Sequence, residues 1–178
     1  MRRSLSTGFL RSAQQHADRP ALQLDSVVLS YAQLRARAAA LAQTLRAHAP
    51  AGEPLLTAVF AHRSITAYAG VLGGLFRGHG YVPLNPGFPT DRTHAMLVRS
   101  ECRSLIVDAH GAAQLGEVLK GVEGALLLLL PDHDDVSDLA AQWPQHRFLG
   151  ARDLVDAGAW VPPDVDPNGI AYLLFTSG

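Results

Sequence analysis

The residues best suited to chemistry stand at the end of the chain, where Thr176-Ser177-Gly178 follow the apolar run at residues 170–175. Hydroxyls and free backbone N–H groups in a small-residue loop can surround phosphate oxygens, and glycine lets the backbone approach them closely. The same three residues are also an ordinary turn composition. By itself the motif is therefore compatible with either role.

Other candidate groups have simpler readings. Gly70, Gly73, Gly74, Gly78 and Gly80 lack the G-x-G-x-x-G spacing of a dinucleotide loop and fall within and after a helix, which suits close packing and a turn. No Walker lysine pattern occurs. Asp132-His133-Asp134-Asp135, with Asp138 and His146, carries metal-ligand types, but its polar setting reads as a solvated loop, and no metal is assigned. His62-Arg63-Ser64 lies at a strand end, where α/β folds often place ligand contacts, but helix capping by Ser64 accounts for it adequately. His79 and His94 have no Ser or Cys partner at a recognisable spacing. Cys102 is the single cysteine, so an internal disulfide framework and a cysteine zinc site are excluded, and its place before an apolar run reads as a small buried thiol.

Composition narrows the class of partner. Of 178 residues, 48 % are hydrophobic and 17 % charged, below the roughly 25 % charged of an average soluble domain, which points to a packed globule. Fifteen basic against sixteen acidic side chains leave a formal charge of −1, with no Lys/Arg run. Nucleic acid and anionic membrane are therefore not expected partners. The longest strongly apolar stretch, residues 125–130, is far short of the roughly 20 needed to span a bilayer. The segment after Arg2 and Arg3 is interrupted by Ser4, Ser6, Thr7 and Arg11 and does not read as a signal peptide. A cytoplasmic location is expected.

The elements that must position these residues alternate along the chain. Phe9, Leu10 and Ala13 give a short helical face, and residues 21–24 and 27–29 flank the turn signal Asp25-Ser26 of a hairpin. Ser30 and Gln33 form a capping box ahead of a helix carrying Tyr31, Leu34, Ala38, Leu41 and Leu45. Strands are predicted at residues 55–61, 81–84, 104–107, 125–130 and 170–175. Helices are predicted from the Ser64 cap to about Arg77, from a Thr90 cap to about Ser100, and over 112–119. Apolar strands separated by helices define an α/β fold with a mostly parallel sheet and flanking helices. Residues 131–143 read as a polar connection with a short helix. The proline-rich residues 161–167 read as a surface loop within one domain.

Three segments, in order, resemble the core motifs of amino-acid adenylation domains. Leu29-Ser30-Tyr31-Ala32-Gln33-Leu34 is similar to L-T-Y-x-E-L, and both substitutions keep the capping box. Residues 75–92, running Leu-Phe-Arg-Gly-His-Gly-Tyr-Val-Pro-Leu-Asn-Pro-Gly-Phe-Pro-Thr-Asp-Arg, resemble L-K-A-G-x-A-Y-V-P-I-D-P-x-Y-P-x-x-R. Residues 171–178 are similar to the opening of A-Y-x-x-Y-T-S-G-S-T-G-x-P-K-G. The resemblance runs from about residue 9 to 178 and implies the amino-terminal portion of the large domain of an adenylate-forming enzyme, of the nonribosomal peptide synthetase type or a related acyl-CoA synthetase. It implies one AMP-binding unit over residues 1–178, with no separate second domain, truncated within the phosphate-binding loop.

The resemblance assigns Thr176, Ser177 and Gly178 to the β- and γ-phosphates of ATP, with the catalytic lysine and substrate pocket expected beyond Gly178. It implies a ligase that uses ATP and Mg²⁺ to activate an amino acid or an aryl or acyl carboxylate as an adenylate. The acyl group then passes to a thiol, either a carrier protein's phosphopantetheine or coenzyme A. Asn85 in place of Asp leans towards acyl-CoA ligases, whereas Tyr81-Val82-Pro83 and the Pro89 to Arg92 spacing lean towards amino-acid adenylation. The segment alone is expected to be inactive. A complete, non-catalytic α/β interaction module and a free nucleotide-binding domain are the alternative readings.

Overall fold

A computed structural model describes residues 4–176. Its longest helix begins as the Ser30/Gln33 spacing predicts: Ser30 Oγ accepts the Gln33 N–H at 3.3 Å and Gln33 Oε1 accepts the Ser30 N–H at 2.8 Å. That capping box opens α2 (Tyr31–His48), and Leu34, Ala38, Leu41 and Leu45 are buried along it. Before it come α1 (Thr7–Gln15) and an antiparallel hairpin of β1 (Pro20–Leu24) and β2 (Val27–Ser30). The hairpin turns at Asp25, whose φ is 49°.

The alternation then runs through β3 (Leu56–Phe60), α3 (Ile65–Phe76), β4 (Gly80–Leu84), α4 (Thr90–Ser100) and β5 (Ser104–Val107). It continues with α5 (Ala109–Ala112), α6 (Leu115–Val118), β6 (Leu127–Leu130), α7 (Ser137–Gln142) and β7 (Arg147–Gly150). The five strands β3 to β7 form one sheet of order β4-β3-β5-β6-β7, parallel throughout. Side-chain alternation divides its core. Ala58, Leu105, Leu128 and Phe148 pack with Met96 and Leu97 of α4 and Val118 of α6, whereas Ile106, Leu127, Leu129 and Leu149 face Leu41 and Leu45 of α2 and Ala69 of α3. Helices on both faces explain why strands such as Leu127–Leu130 are apolar at every position.

Gly70 and Gly73 allow α3 to lie close to the sheet and to α2. A Cβ on Gly70 would stand 3.1 Å from Val59 Cγ1, and one on Gly73 would stand 3.2 Å from Leu41 Cβ. Cys102 is buried, and burial raises its thiol pKa.

Four local expectations change. Thr90 is the first residue of α4, and the capping position belongs to Pro89, which makes no side-chain cap bond. The helix predicted over 112–119 begins earlier and divides into α5 and α6, because Asp108 caps at Gly111 N–H and Gln114 interrupts the run. β7 escapes the sequence pattern since only Phe148 and Leu149 of its four residues are apolar. Residues 170–175 do not form a buried strand. They make a single parallel bridge, Tyr172 to Tyr81, at the outer side of β4. Ile170, Tyr172 and Leu174 are 64 %, 51 % and 55 % exposed, while Leu173 and Phe175 pack against the core. An edge segment has one covered face, so alternate side chains remain in solvent.

Candidate functional site

The strand order reverses once the chain has passed β4. From β3 it moves outward to β4 and then returns to β5 on the other side of β3. The reversal leaves a crevice at the carboxyl ends of β3 and β5, the place where open α/β sheets bind ligands. Residues 61–64 and 108–111 follow β3 and β5 at that end of the sheet.

Asp108 organises it. Its fully buried carboxylate accepts His62 N–H and Ser64 O–H at 2.8 Å each through Oδ2, and Gly111 N–H at 2.8 Å through Oδ1. Ser64 Oγ in turn accepts Ala67 N–H at 3.0 Å and caps α3. The capping role expected of Ser64 is therefore present, and it is linked to a carboxylate on the next strand. Arg63 adopts φ 44° in this turn, and the His62 and His110 rings lie edge to face with centroids 6.4 Å apart. Asp108 belongs to none of the sequence motifs. An Asp closing an apolar strand before small residues is the available signal.

The acidic stretch after β6 does not converge. Asp132 accepts Thr66 O–H at 2.6 Å and Ala109 N–H at 3.2 Å, whereas Asp135 accepts Ser137 N–H at 2.9 Å. Hydrogen bonds from Ser137 lower the pKa of Asp135. His146 lies at the opposite end of β6, where Nδ1 accepts Leu126 N–H at 3.4 Å, and burial lowers its pKa. Among the described residues, no three His, Cys, Asp or Glu side chains gather as metal ligands.

A buried polar network absent from the sequence expectations occupies the amino ends of β3, β4 and β5. The Arg77 guanidinium pairs with Glu53, and Glu53 also accepts Ser104 O–H. Arg77 further donates to Thr57 Oγ1 at 3.4 Å, and Thr57 Oγ1 lies 3.2 Å from His79 Nδ1. Burial, reinforced by nearby Arg77, lowers the His79 pKa to about 4. Burial likewise lowers the Arg77 pKa. These residues stand at the end of the sheet opposite the crevice.

The final segment reaches the carboxyl side along β4. Tyr81 N–H donates to the Ala171 carbonyl at 3.1 Å, Leu173 N–H donates to the Tyr81 carbonyl at 3.0 Å, and the two tyrosine rings are 5.9 Å apart. Because the pairing is parallel, Thr176 follows at the same end of the sheet as Asn85. Thr176 is exposed. Ser177 and Gly178, predicted with it as phosphate ligands, lie outside the described residues.

A parallel sheet with helices on both faces and a strand order that reverses beside β3 defines the doubly wound class of α/β folds, which bind ligands beyond the carboxyl ends of their strands. The chain belongs to the AMP-binding enzyme family, whose profile matches residues 9–178. It is 33 % identical over 169 residues to indigoidine synthase of Dickeya dadantii, covering 93 % of this chain and 10 % of that protein. The crystal structure of IdnL7 matches with a TM-score of 0.78 and 32 % identity over 97 % of this chain and 33 % of that one. The Vibrio cholerae adenylation domain AlmE, solved with glycyl-adenosine-5'-phosphate, shares the fold at a TM-score of 0.77 and 23 % identity, covering all of this chain and 34 % of that one. The chain thus spans about a tenth of the first relative and about a third of the two solved structures.

Proposed function

We propose that this chain is the amino-terminal part of an adenylate-forming ligase that activates a carboxylic acid with ATP. The observation that carries the reading is the parallel seating of the third motif on the second, Tyr172 beside Tyr81, which leads the Thr176 loop to the carboxyl edge of the sheet. In the first step a substrate carboxylate oxygen forms a bond to the α-phosphorus of ATP and pyrophosphate leaves. In the second a thiolate attacks the acyl carbon and AMP leaves. Thr176, with Ser177 and Gly178, donates hydrogen bonds to the β- and γ-phosphates, offsetting charge that grows on the leaving group.

The exposed Thr176 hydroxyl suits phosphate oxygens. Mg²⁺ would supply charge neutralisation on the phosphates when bound. The substrate class favoured is an amino acid, on the Tyr81-Val82-Pro83 and Pro89 to Arg92 features, with a carrier-protein phosphopantetheine as acceptor. Asn85 keeps aryl and acyl acids, with coenzyme A as acceptor, as the second reading. Among the described residues no helix is long and apolar enough to cross a membrane; a cytoplasmic location is part of the proposal and does not follow from that. Activity is assigned to a polypeptide carrying the whole loop, not to these 178 residues alone.

The test is ATP–pyrophosphate exchange by a polypeptide containing this chain, measured across amino acids and aryl and fatty acids. Exchange with amino acids alone supports the favoured reading, and exchange with none of these carboxylates rejects the ligase.

A further inference from the structure

The segment that delivers Thr176 runs along a track made by the turn between α3 and β4. At its start Trp160 stacks on Phe76, with ring centroids 4.4 Å apart, and its indole N–H donates to the Phe76 carbonyl at 3.2 Å. The proline-rich stretch then crosses Gly78. That residue has φ +85°, a conformation glycine adopts without steric cost, and a Cβ there would stand 3.4 Å from Pro163 Cγ. Two residues on, the approach becomes closer. A Cβ on Gly80 would lie 2.5 Å from the Ile170 carbonyl oxygen and 3.1 Å from its carbon. Immediately afterwards the Tyr81 and Leu173 hydrogen bonds fix the register, and Thr176 follows three residues beyond Leu173.

The geometry points to Gly80 as a positioning residue for the ATP phosphate loop, with Trp160 as the anchor of the segment that slides over it. This inference rests on the proposed adenylating function. The adenylation motif has Ala where this chain has Gly80. A methyl group at residue 80 meets backbone, which cannot rotate aside as a side chain can. Relief therefore requires the segment at Ile170 to move outward, lengthening the two hydrogen bonds that set the position of Thr176. Gly80 itself lies on a covered strand at the end of the sheet remote from that loop, so it acts through the segment and touches no phosphate.

The test compares Gly80→Ala with Gly116→Ala, since a Cβ on Gly116 meets nothing within 4 Å. Amide hydrogen exchange of the 178-residue chain should show at least tenfold faster exchange at Leu173 N–H in Gly80→Ala, with amides of β5 and β6 unchanged. In the polypeptide containing this chain that supports ATP–pyrophosphate exchange, the same substitution should raise the KM for ATP about fivefold or more while kcat stays within twofold. Gly116→Ala should alter neither. Unchanged exchange at Leu173 overturns the inference, as does altered exchange with an unchanged KM for ATP. Absence of ATP–pyrophosphate exchange in the unsubstituted polypeptide instead overturns the ligase reading, and with it the assignment of the loop.

Discussion

Ser64 donates its hydroxyl proton to Asp108 Oδ2 at 2.8 Å while its oxygen accepts the Ala67 N–H, so one side chain joins the start of α3 to the end of β5. Replacing Asp108 by Ala would leave His62 N–H, Ser64 O–H and Gly111 N–H without their acceptor. Each buried unpaired donor costs about 1–3 kcal/mol, and partial access to water at the crevice brings the expected total to about 3–5 kcal/mol. Asp108→Asn keeps one oxygen but turns an NH₂ group towards a donor, and should cost about 1–3 kcal/mol. Urea unfolding of the three proteins checks the order. Equal stability of Asp108→Ala and the unsubstituted protein would show that the carboxylate does not organise the crevice.

Glu53 and Arg77 form a buried ion pair whose two halves come from the segment before β3 and the end of α3. Removing one partner leaves the other charge in the interior, an effect of about 3–5 kcal/mol. Arg77→Ala and Glu53→Gln should each be strongly destabilising by chemical unfolding. The double substitution should cost less than the two single losses added together, because no unpaired charge remains. Additive losses would indicate that the pair is not coupled.

The elements most legible in the sequence were those with a local chemical cause. Ser30 and Gln33 announce α2 because capping depends on two residues three apart, and residues 104–107 read as a strand because Leu105, Ile106 and Val107 form an apolar run. Long-range pairs left no such trace. Nothing near Glu53 indicates Arg77, 24 positions away, and nothing near Ser64 indicates Asp108. The phosphate role proposed for Thr176 rests on resemblance alone. The approach to Thr176 was misread as buried because Ile170, Tyr172 and Leu174 are apolar without being covered. Hydrophobic type reports a tendency to be buried, whereas the sheet's edge decides which face is covered.

His79 supplies a pH dependence whose sign follows from its depressed pKa of about 4. At neutral pH the ring is uncharged in both folded and unfolded chains. As pH falls below the ordinary histidine value of about 6.5, the unfolded chain takes up a proton that the folded chain refuses until about pH 4. Stability is therefore full above the ordinary value and declines between the two, by at most about 3 kcal/mol. Burial of His146 acts in the same direction. His79→Gln should flatten the slope of unfolding free energy between pH 6.5 and 4 and leave a smaller slope from His146. An unchanged slope would mean that His79 titrates normally in the folded protein.

Thr176 carries the most direct functional prediction. The residue stands exposed at the end of a segment whose backbone is tied to Tyr81, so Thr176→Ala removes the proposed phosphate donor without removing a packed side chain. A lost hydrogen bond to a charged group is worth about 1.5–3 kcal/mol, or roughly ten- to a hundredfold in rate or binding. In the ATP–pyrophosphate exchange assay of the polypeptide containing this chain, Thr176→Ala should lower kcat/KM for ATP by that factor, and Thr176→Ser should restore most of it. Thermal stability should change little, since the residue covers no core. Unaltered kinetics in the alanine variant would remove Thr176 from the phosphate site, whereas a loss accompanied by lowered stability and no recovery by serine would assign it a structural role.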